Sequence, residues 1–395
     1  MLRKMVYRYR DSRIIRVSLL LVAFFCAAAV AVYLFEYRYN SDFYHLVDGF
    51  WWMIITFSTT GYGDMVPITT GGRILAVLVV FFGIAGAGLL SAGITSWLVE
   101  QNSRARRGLL DYQRLRNHLV ICGWKHDMQD ILNGILRANP GLHSDQLVLV
   151  SNVDPQLVDQ LKESSRLNGL KFVKGDYFAE PVLQRANIGG SAKVMVLADT
   201  LESSAVSEVD SKTVMTVLTC KAMSRETYVI AEILDRKFES YLRHAQCDEI
   251  VFSQDFSRQL IASTSSTNGM SHIVYDLISQ RQSDAVLKTL PVPERLIGQS
   301  YARLCADITA AASADNKSIM ILGLLQNTGT QTRMKIEALK EAQKTSDISR
   351  LVANIQGVKG LEANKPMLLP ADDTVVPRYS AAIVLERSNP VREGA

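Results

Sequence analysis

The chain has 395 residues, of which 48% are hydrophobic and 21% charged, so it is long enough for a membrane segment together with one or two further domains. Its formal net charge of +4 says little about partners and gives no indication of nucleic-acid binding. The five cysteines lie singly, which excludes the C-x-x-C spacing of a zinc or redox site and fits a reducing cytosol for the part that holds four of them.

Two apolar stretches are long enough to cross a bilayer as helices. Residues 17–35 and 74–99 contain no charged side chain, and at about 1.5 Å per residue each spans the hydrocarbon core. We therefore predict spans over about residues 14–36 and 74–99. A signal peptide is the alternative for the first stretch, but the run is long, lacks a small-residue cleavage site and is followed by a second span.

Basic residues are distributed unequally around the two spans. Only Arg38 and Arg73 lie between the spans, whereas most of the nearby positive charge lies outside them. The outer set is Arg3, Lys4, Arg8, Arg10, Arg13, Arg16, Arg104, Arg106 and Arg107. By the positive-inside bias, both termini of a multi-pass protein of the cell (inner) membrane are predicted to be cytoplasmic.

The loop over residues 48–64 lies between the spans. Residues 48–58 form a segment too short to cross the membrane, and it leads into Thr59-Thr60-Gly61-Tyr62-Gly63-Asp64. A half-helix followed by an irregular loop is tolerated at membrane depth only where it is buried in protein or lines a water-filled pore. An ordinary glycine-rich turn is the alternative, which the position between two spans disfavours. Trp51 and Trp52 are either interfacial anchors or packing around this loop.

Residues 59–63 match the T-V-G-Y-G filter of potassium channels, with Thr60 in place of valine. Gly61 and Gly63 permit backbone conformations in which successive carbonyls turn toward one axis. Four copies would surround dehydrated K⁺ with oxygens of Thr59, Thr60, Gly61 and Tyr62, and the Thr59 hydroxyl would add an inner ring. The resemblance implies potassium-selective conduction by a homotetramer.

Glycines interrupt the second span at Gly83, Gly86, Gly88 and Gly93. Glycine in a membrane helix permits either close packing or a bend. Gly83 falls where potassium channels place the inner-helix hinge relative to the filter, so we predict a gate hinge at Gly83, Gly86 and Gly88. Close packing is the alternative.

The remainder of the chain alternates short apolar runs with helical patterns. We predict a helix over 128–138 and strands over residues 117–123, 146–151, 172–175, 193–198 and 227–232. Such alternation predicts an α/β, Rossmann-like parallel sheet, in which ligands bind at the carboxyl ends of the strands.

The first predicted strand ends in the turn Gly123-Trp124-Lys125-His126-Asp127, which keeps the first glycine of G-x-G-x-x-G and lacks the other two. The second ends at Ser151-Asn152, where a ribose-binding carboxylate would be expected. Lys125 and His126 are candidates for phosphate contact at a helix start, with plain surface exposure the alternative. Together with Asp176 and Asp199 after the third and fourth strands, these residues form the predicted cofactor site.

The segments 118–124, 173–176 and 229–232, behind a two-helix pore, resemble the RCK (regulator of potassium conductance) domain of prokaryotic ligand-gated potassium channels. The resemblance covers about residues 14–385. It implies a cytosolic gating ring that pulls on the inner helices, with calcium or adenine nucleotides (NAD, ADP or ATP) as ligands. By position, Asp199 and Glu232 match calcium-binding carboxylates, although Leu234 replaces another. Calcium takes six to eight oxygens, so solvated strand-end carboxylates are the alternative.

Four regions follow from these patterns: a pore module over 1–105, a Rossmann-like lobe over 106–255, a helix-turn-helix crossover over 256–282 and a small α+β C-terminal subdomain over 283–395. The crossover breaks at Thr267-Asn268-Gly269, and in the family it swaps between subunits. Its apolar residues form either a dimer face or intramolecular core. They are Leu260, Ile261, Ile273, Val274, Leu277 and Ile278. Strands are predicted over 319–325 and 381–385, and a polar, mobile segment over 335–346.

The prediction is thus a ligand-gated potassium-channel subunit in a lipid bilayer, with no catalytic residues. A membrane-anchored NAD-dependent oxidoreductase is the enzyme alternative, but it leaves the pore loop unexplained and no His–carboxylate pair has catalytic spacing. A non-conducting nucleotide sensor is the other alternative, against which the filter motif argues. The family ring has eight RCK domains, so four copies of this chain require either a second start codon or a second RCK domain after residue 395.

Overall fold

Residues 13–201, 205–279, 285–315, 317–343, 356–358 and 361–388 are described by the computed structural model. Of the basic residues used to predict orientation, Arg3, Lys4, Arg8 and Arg10 lie outside this range. Backbone proximity divides the chain into two units, residues 1–104 and 105–395.

In its described residues the first unit has three α-helices, and two of them are long and apolar enough to cross a membrane. They are α1 (Arg13–Glu36), α2 (Leu46–Phe57) and α3 (Thr70–Arg106). Helix α3 contains the predicted second span, 74–99, and extends beyond it at both ends. It begins earlier because the Thr69 hydroxyl accepts the N–H of Gly72 at 3.0 Å, and it continues through the polar residues that follow Val99. The short helix α2 corresponds to the half-helix predicted over residues 48–58.

Helix α2 packs against α1 around a small apolar core. This core includes Ala28, Ala29, Val32, Phe43, Trp52, Met53 and Val79. Gly49 makes the close approach possible, because a Cβ atom there would lie 2.5 Å from the Ala29 carbonyl oxygen. Trp52 is buried in this core, while its predicted packing around the filter loop stays a prediction.

The second unit begins with a six-stranded parallel sheet, which confirms the predicted Rossmann-like fold. Its order is β3-β2-β1-β4-β5-β6, the doubly wound arrangement. The strands are β1 (Leu119–Cys122), β2 (Leu147–Ser151), β3 (Lys171–Lys174), β4 (Lys193–Val196), β5 (Tyr228–Ile233) and β6 (Glu249–Phe252). The helices between them are α4 (Met128–Ala138), α5 (Pro155–Glu163), α6 (Glu180–Arg185), α7 (Val206–Met223) and α8 (Glu239–His244).

Both faces of this sheet are covered. In β1, Val120 and Cys122 belong to one buried cluster while Leu119 and Ile121 belong to another. Because successive side chains of a strand point to opposite faces, a strand covered on both sides reads as a continuous apolar run. This is why the sequence predicts β1, β2 and β4 to within a few residues.

The crossover and the C-terminal subdomain complete the second unit. Helices α9 (Ser253–Thr264) and α10 (Met270–Ser279) flank the predicted break. An antiparallel sheet follows, in the order β7-β10-β8-β9, with α11 (Tyr301–Ala314) packed against β8. Its strands are β7 (Ala285–Pro291), β8 (Lys317–Gln326), β9 (Lys365–Leu368) and β10 (Ala381–Ser388).

The prediction of a mobile segment over 335–346 is wrong for the residues that the structure describes. Helix α12 (Gln331–Ala342) covers most of it. The Thr330 hydroxyl accepts the N–H of Arg333 and so caps the helix, while Met334 and Ala342 are buried on one face. Residues 344–346 lie outside the described part of the chain.

Candidate pore and ligand site

The filter segment has an alternating backbone. Thr59, Gly61 and Gly63 take positive φ angles of 56°, 54° and 76°. Alternation between left-handed and right-handed backbone conformations allows successive peptide groups to turn the same way, so that carbonyl oxygens can lie along one side of such a segment. Glycine tolerates this conformation at two of the three positions. Thr59 adopts it without that freedom, so its neighbours must impose it.

The end of α2 supplies that constraint. The N–H groups of Thr60 and Gly61 both donate to the Ile55 carbonyl, at 3.0 and 3.2 Å. The hydroxyls of Ser58 and Thr60 lie 2.8 Å apart, within hydrogen-bond distance. The Thr59 hydroxyl donates to the Ser58 carbonyl at 2.7 Å, so its predicted part in an inner oxygen ring stays a prediction.

Trp51 braces the outer end of the segment. Its indole N–H donates to the Asp64 carboxylate at 3.2 Å, and its ring stacks on that of Tyr62 with centroids 6.4 Å apart and planes at 14°. The indole thus contacts both Tyr62 and the residue after Gly63. Contact with the filter segment is the packing interpretation that the sequence left open.

Sequence reasoning missed Glu36, the last residue of α1. Its fully buried carboxylate accepts hydrogen bonds from the backbone N–H groups of Ile68 and Thr69, each at 3.0 Å, and from the Thr69 hydroxyl at 2.6 Å. Asn40 donates to it at 3.2 Å and to the Val66 carbonyl at 2.9 Å. The carboxylate therefore ties the loop after the filter to the end of α1. The sequence signal that could have identified Glu36 is a single acidic residue at the end of an otherwise uncharged span.

The predicted gate glycines differ in their surroundings. Helix α3 is unbroken through Gly83, Gly86 and Gly88. A Cβ at Gly86 would lie 2.1 Å from Leu21 Cδ1, whereas one at Gly83 would make ordinary contact with Phe57 at 3.5 Å and one at Gly88 would meet nothing within 4 Å. Gly86 therefore permits close packing against Leu21, and the gate hinge at Gly83, Gly86 and Gly88 stays a prediction.

The switch point of the parallel sheet lies between β1 and β4, where the strand order reverses. Gly123 follows β1 with a φ of 95°, and a Cβ there would come within 3.0 Å of the Leu197 carbonyl oxygen. The next N–H, of Trp124, donates to the Asp199 carboxylate at 3.0 Å. The predicted residues Gly123, Trp124 and Asp199 are thus in direct contact.

The predicted calcium ligands are already engaged. Glu232 accepts the Lys125 ammonium at 2.5 Å and the N–H of Ala198 at 3.0 Å. Asp199 also accepts the N–H of Leu201 at 3.0 Å. Throughout the described residues, no group of three or more His, Cys, Asp or Glu side chains is arranged to hold a metal. In this arrangement Lys125 neutralises Glu232, and both calcium at this pair and contact of Lys125 with a phosphate stay predictions.

Two family models match the chain. A model for ion channels covers residues 19–100, and a model for the calcium-activated potassium channel slowpoke-like RCK domain covers residues 114–231. The chain combines an ion-channel pore domain with an RCK domain. The pore domain and its two apolar helices indicate a membrane protein.

Similar proteins carry the names of potassium channels. The calcium-gated potassium channel TvoK of Thermoplasma volcanium is 30% identical over 234 residues, which are 59% of this chain and 63% of TvoK. The putative potassium channel protein YugO of Bacillus subtilis is 25% identical over 294 residues, 73% of this chain and 82% of YugO. The solved GsuK channel bound to NAD is 15% identical with a TM-score of 0.47, covering 94% of this chain and 57% of that chain. The chain thus spans less than two thirds of TvoK and of that GsuK chain.

The other residues of the predicted cofactor site also lie at or just after the carboxyl ends of the parallel strands. His126, Asp127, Asn152 and Asp176 are exposed, whereas Ser151 is buried and its carbonyl accepts the N–H of Gly175 at 3.1 Å. The exposed side chains lie around these strand ends, and the buried residues join one strand end to the next.

The sequence did not reveal Asp210, a buried carboxylate on α7 of the RCK domain. It accepts the N–H groups of Leu234 and Asp235 at 2.9 and 2.8 Å, which fixes the chain just after β5. Burial raises the pKa of Asp210, and the two backbone hydrogen bonds oppose that effect. Helix α7 also carries Ser207, Glu208, Ser211 and Lys212, so the local sequence does not indicate that Asp210 is buried.

Proposed function

We propose that the chain is one subunit of a homotetrameric, potassium-selective channel whose opening is controlled by ligands of the RCK domain. The positive φ angles of Thr59, Gly61 and Gly63 carry this proposal, because such a backbone allows successive carbonyl oxygens to turn toward one axis, as a dehydrated K⁺ requires. The single chain leaves Tyr62 exposed over 68% of its surface, which fits a side chain that a neighbouring subunit covers in the tetramer. The names of TvoK and YugO support the same function.

Substitution of Gly63 tests the conduction half of the proposal. Alanine at a φ of 76° is strained, so Gly63→Ala should disorder the carbonyl cage and remove discrimination between potassium and sodium. Cation flux into liposomes containing the full chain measures this. Gly141→Ala is the matched control, because a Cβ at Gly141 meets nothing within 4 Å. Gly63→Ala channels that still exclude sodium as the parent does would show that the filter is assigned wrongly.

An adenine nucleotide (NAD, ADP or ATP) is the proposed ligand of the RCK domain, bound where β1 and β4 diverge. The doubly wound strand order, the glycine turn at Gly123 and the first turn of α4 support it. Since Lys125 is paired with Glu232, a phosphate there would meet His126 and the backbone of the turn. Calcium is the second candidate, favoured by the name of TvoK, and it would have to displace the donors that Asp199 and Glu232 now bind.

Calorimetry on the full chain with NAD, ADP, ATP and calcium tests the ligand. We expect saturable binding of at least one nucleotide, and at least about tenfold weaker binding by Gly123→Ala because the substituted turn cannot keep its left-handed conformation. If no nucleotide binds at millimolar concentration, or if Gly123→Ala binds as tightly as the parent, the nucleotide site is wrong.

Orientation and domain organisation belong to the same proposal. Both termini are placed in the cytoplasm, and the RCK domain is a binding module rather than an enzyme. The pore module ends near residue 105, beside the division between residues 104 and 105. The crossover is proposed to exchange between subunits, since Ile261, Ile273 and Ile278 are exposed over 71%, 53% and 60% of their surfaces.

A further inference from the structure

A cleft of about 820 Å³ lies between the Rossmann-like lobe and the C-terminal subdomain. Tyr228 and Glu249, the first residues of β5 and β6, line it on one side, whereas Gln331 and Lys335 of α12 and the segment 361–366 line it on the other. It therefore opens at the amino ends of the parallel strands, whereas Gly123 lies at their carboxyl ends. Its volume is that of a site for a small organic molecule, since such sites measure about 300–1,000 Å³.

Polar contacts hold the two walls of the cleft together. The Asp248 carboxylate accepts the N–H of Gln331 at 2.6 Å, and the Asn364 amide donates to the Tyr228 hydroxyl at 3.0 Å. Arg243 forms an exposed ion pair with Glu362 at 2.8 Å. The Arg243–Glu362 pair is exposed, and such pairs are individually weak, whereas the Asp248 and Asn364 contacts are partly buried.

The charges that line the cleft do not balance locally. Asp248 is paired with the buried Lys221 and Glu362 with Arg243. Glu249 accepts the Tyr228 hydroxyl at 3.0 Å and is the remaining carboxylate of the lining. In the part of the chain that the structure describes, Lys335 and Lys365 form no ion pair. Two ammonium groups therefore border the cleft with one carboxylate left to neutralise them.

We propose that this cleft binds a small organic anion that carries phosphate or carboxylate groups. Its charged groups contact Lys335 and Lys365, which provide charge-assisted hydrogen bonds from the C-terminal wall. Its apolar part packs on Ile250, Phe252 and Leu325, which border the same space. A bare inorganic ion would leave most of the volume and all of this apolar surface unused. The inference does not depend on ion conduction or on a nucleotide at Gly123.

Calorimetry on the full chain in detergent, with ADP, NAD, citrate and inorganic pyrophosphate as probes, tests the site. The variant is Lys335→Gln/Lys365→Gln. The control is Lys340→Gln/Lys288→Gln, which removes the same charge from the same subdomain outside the cleft. We expect an organic probe to bind with a Kd that the cleft variant raises at least about tenfold and the control less than about twofold. Nucleotides and citrate separate phosphate from carboxylate recognition.

The variant Gly123→Ala distinguishes the cleft from the nucleotide site proposed at Gly123. Binding that depends on the two cleft lysines should persist in this variant. The proposal is overturned if no probe binds at millimolar concentration, if the two double variants weaken binding equally, or if only Gly123→Ala weakens it. Pyrophosphate binding as tightly as the organic probes would overturn the assignment of an organic ligand.

Discussion

At the scale of single residues, Glu36 makes the densest set of polar contacts in the pore domain. Its two oxygens accept four hydrogen bonds from Asn40, Ile68 and Thr69. Each bond to a charged acceptor contributes about 1.5–3 kcal/mol, and a buried donor left without an acceptor costs about 1–3 kcal/mol.

Glu36→Gln should therefore lower the Tm of the full chain in detergent, because the amide replaces one acceptor oxygen with a donor that faces other donors. We expect a loss of about 1–3 kcal/mol in the free energy of unfolding. Glu100→Gln, at an exposed position, is the control and should leave Tm unchanged. Equal effects of the two substitutions would mean that the carboxylate at position 36 does not hold the loop after the filter.

His118 makes the stability of the RCK domain dependent on pH. Its side chain is fully buried, Nε2 lies 2.9 Å from the Ala186 carbonyl, and Nδ1 has no partner within the described residues. Burial lowers the pKa of His118 below its ordinary 6.5, and the charges of Lys171 and Arg116 lower it further, against the hydrogen bond to Ala186. The unfolded chain therefore takes up this proton more readily than the folded one.

Stability should then be fully present above about pH 6.5 and fall as the pH drops below that value. In thermal unfolding between about pH 7 and pH 5, His118→Gln should lose less stability than the parent. His126→Gln, at an exposed position of the same domain, should lose as much as the parent. A His118→Gln variant with the parent's pH dependence would contradict the role of this residue.

At the scale of elements, the segment after α3 is fixed to the RCK domain. Gly108 has a φ of 66°, its carbonyl accepts the N–H of Lys174 at 2.9 Å, and a Cβ there would lie 2.6 Å from that nitrogen. Arg185 also donates to the Gly108 carbonyl. We therefore expect movement of the RCK domain to reach α3 through the chain, because few residues lie between Arg106 and this contact.

A flexible insertion tests this coupling. Roughly ten Gly/Ser residues between Arg107 and Gly108 should leave ligand affinity nearly intact and remove most of the ligand's effect on open probability, because a coil absorbs displacement through its own entropy. The same insertion after the exposed Gly141 is the control and should preserve ligand gating. Single-channel recording and calorimetry on the same protein give both quantities. Full ligand gating through the longer linker would mean that the RCK domain acts by another route.

Local sequence signals predict some elements and not others. Continuous apolar runs identify β1, β2 and β4 because both faces of the sheet are covered. Helix α12 was missed because its buried face rests on Met334, Ala342 and a hydroxyl cap within a polar segment. The filter motif was readable because its chemistry is local. The Lys125–Glu232 pair joins residues 107 positions apart, so it depends on strand order that no local pattern reveals.

At the scale of the whole molecule, the account joins a potassium-selective pore to a ligand-binding domain through one continuous helix. A ligand can shift the gate only by the difference between its affinities for the open and closed states. The two proposed ligand sites lie at opposite ends of the parallel strands, one at Gly123 and one in the cleft between the lobe and the C-terminal subdomain. Two such sites would allow two ligands to act on the gate independently.

The reversal potential of single-channel current, with potassium on one side of a planar bilayer and sodium on the other, tests the central claim most directly. The full chain should pass current that reverses far toward the potassium equilibrium potential, because the carbonyl cage of residues 59–63 replaces the hydration shell of potassium and not that of sodium. A reversal potential near zero would show that the pore does not select potassium, and the account of the filter would then be wrong.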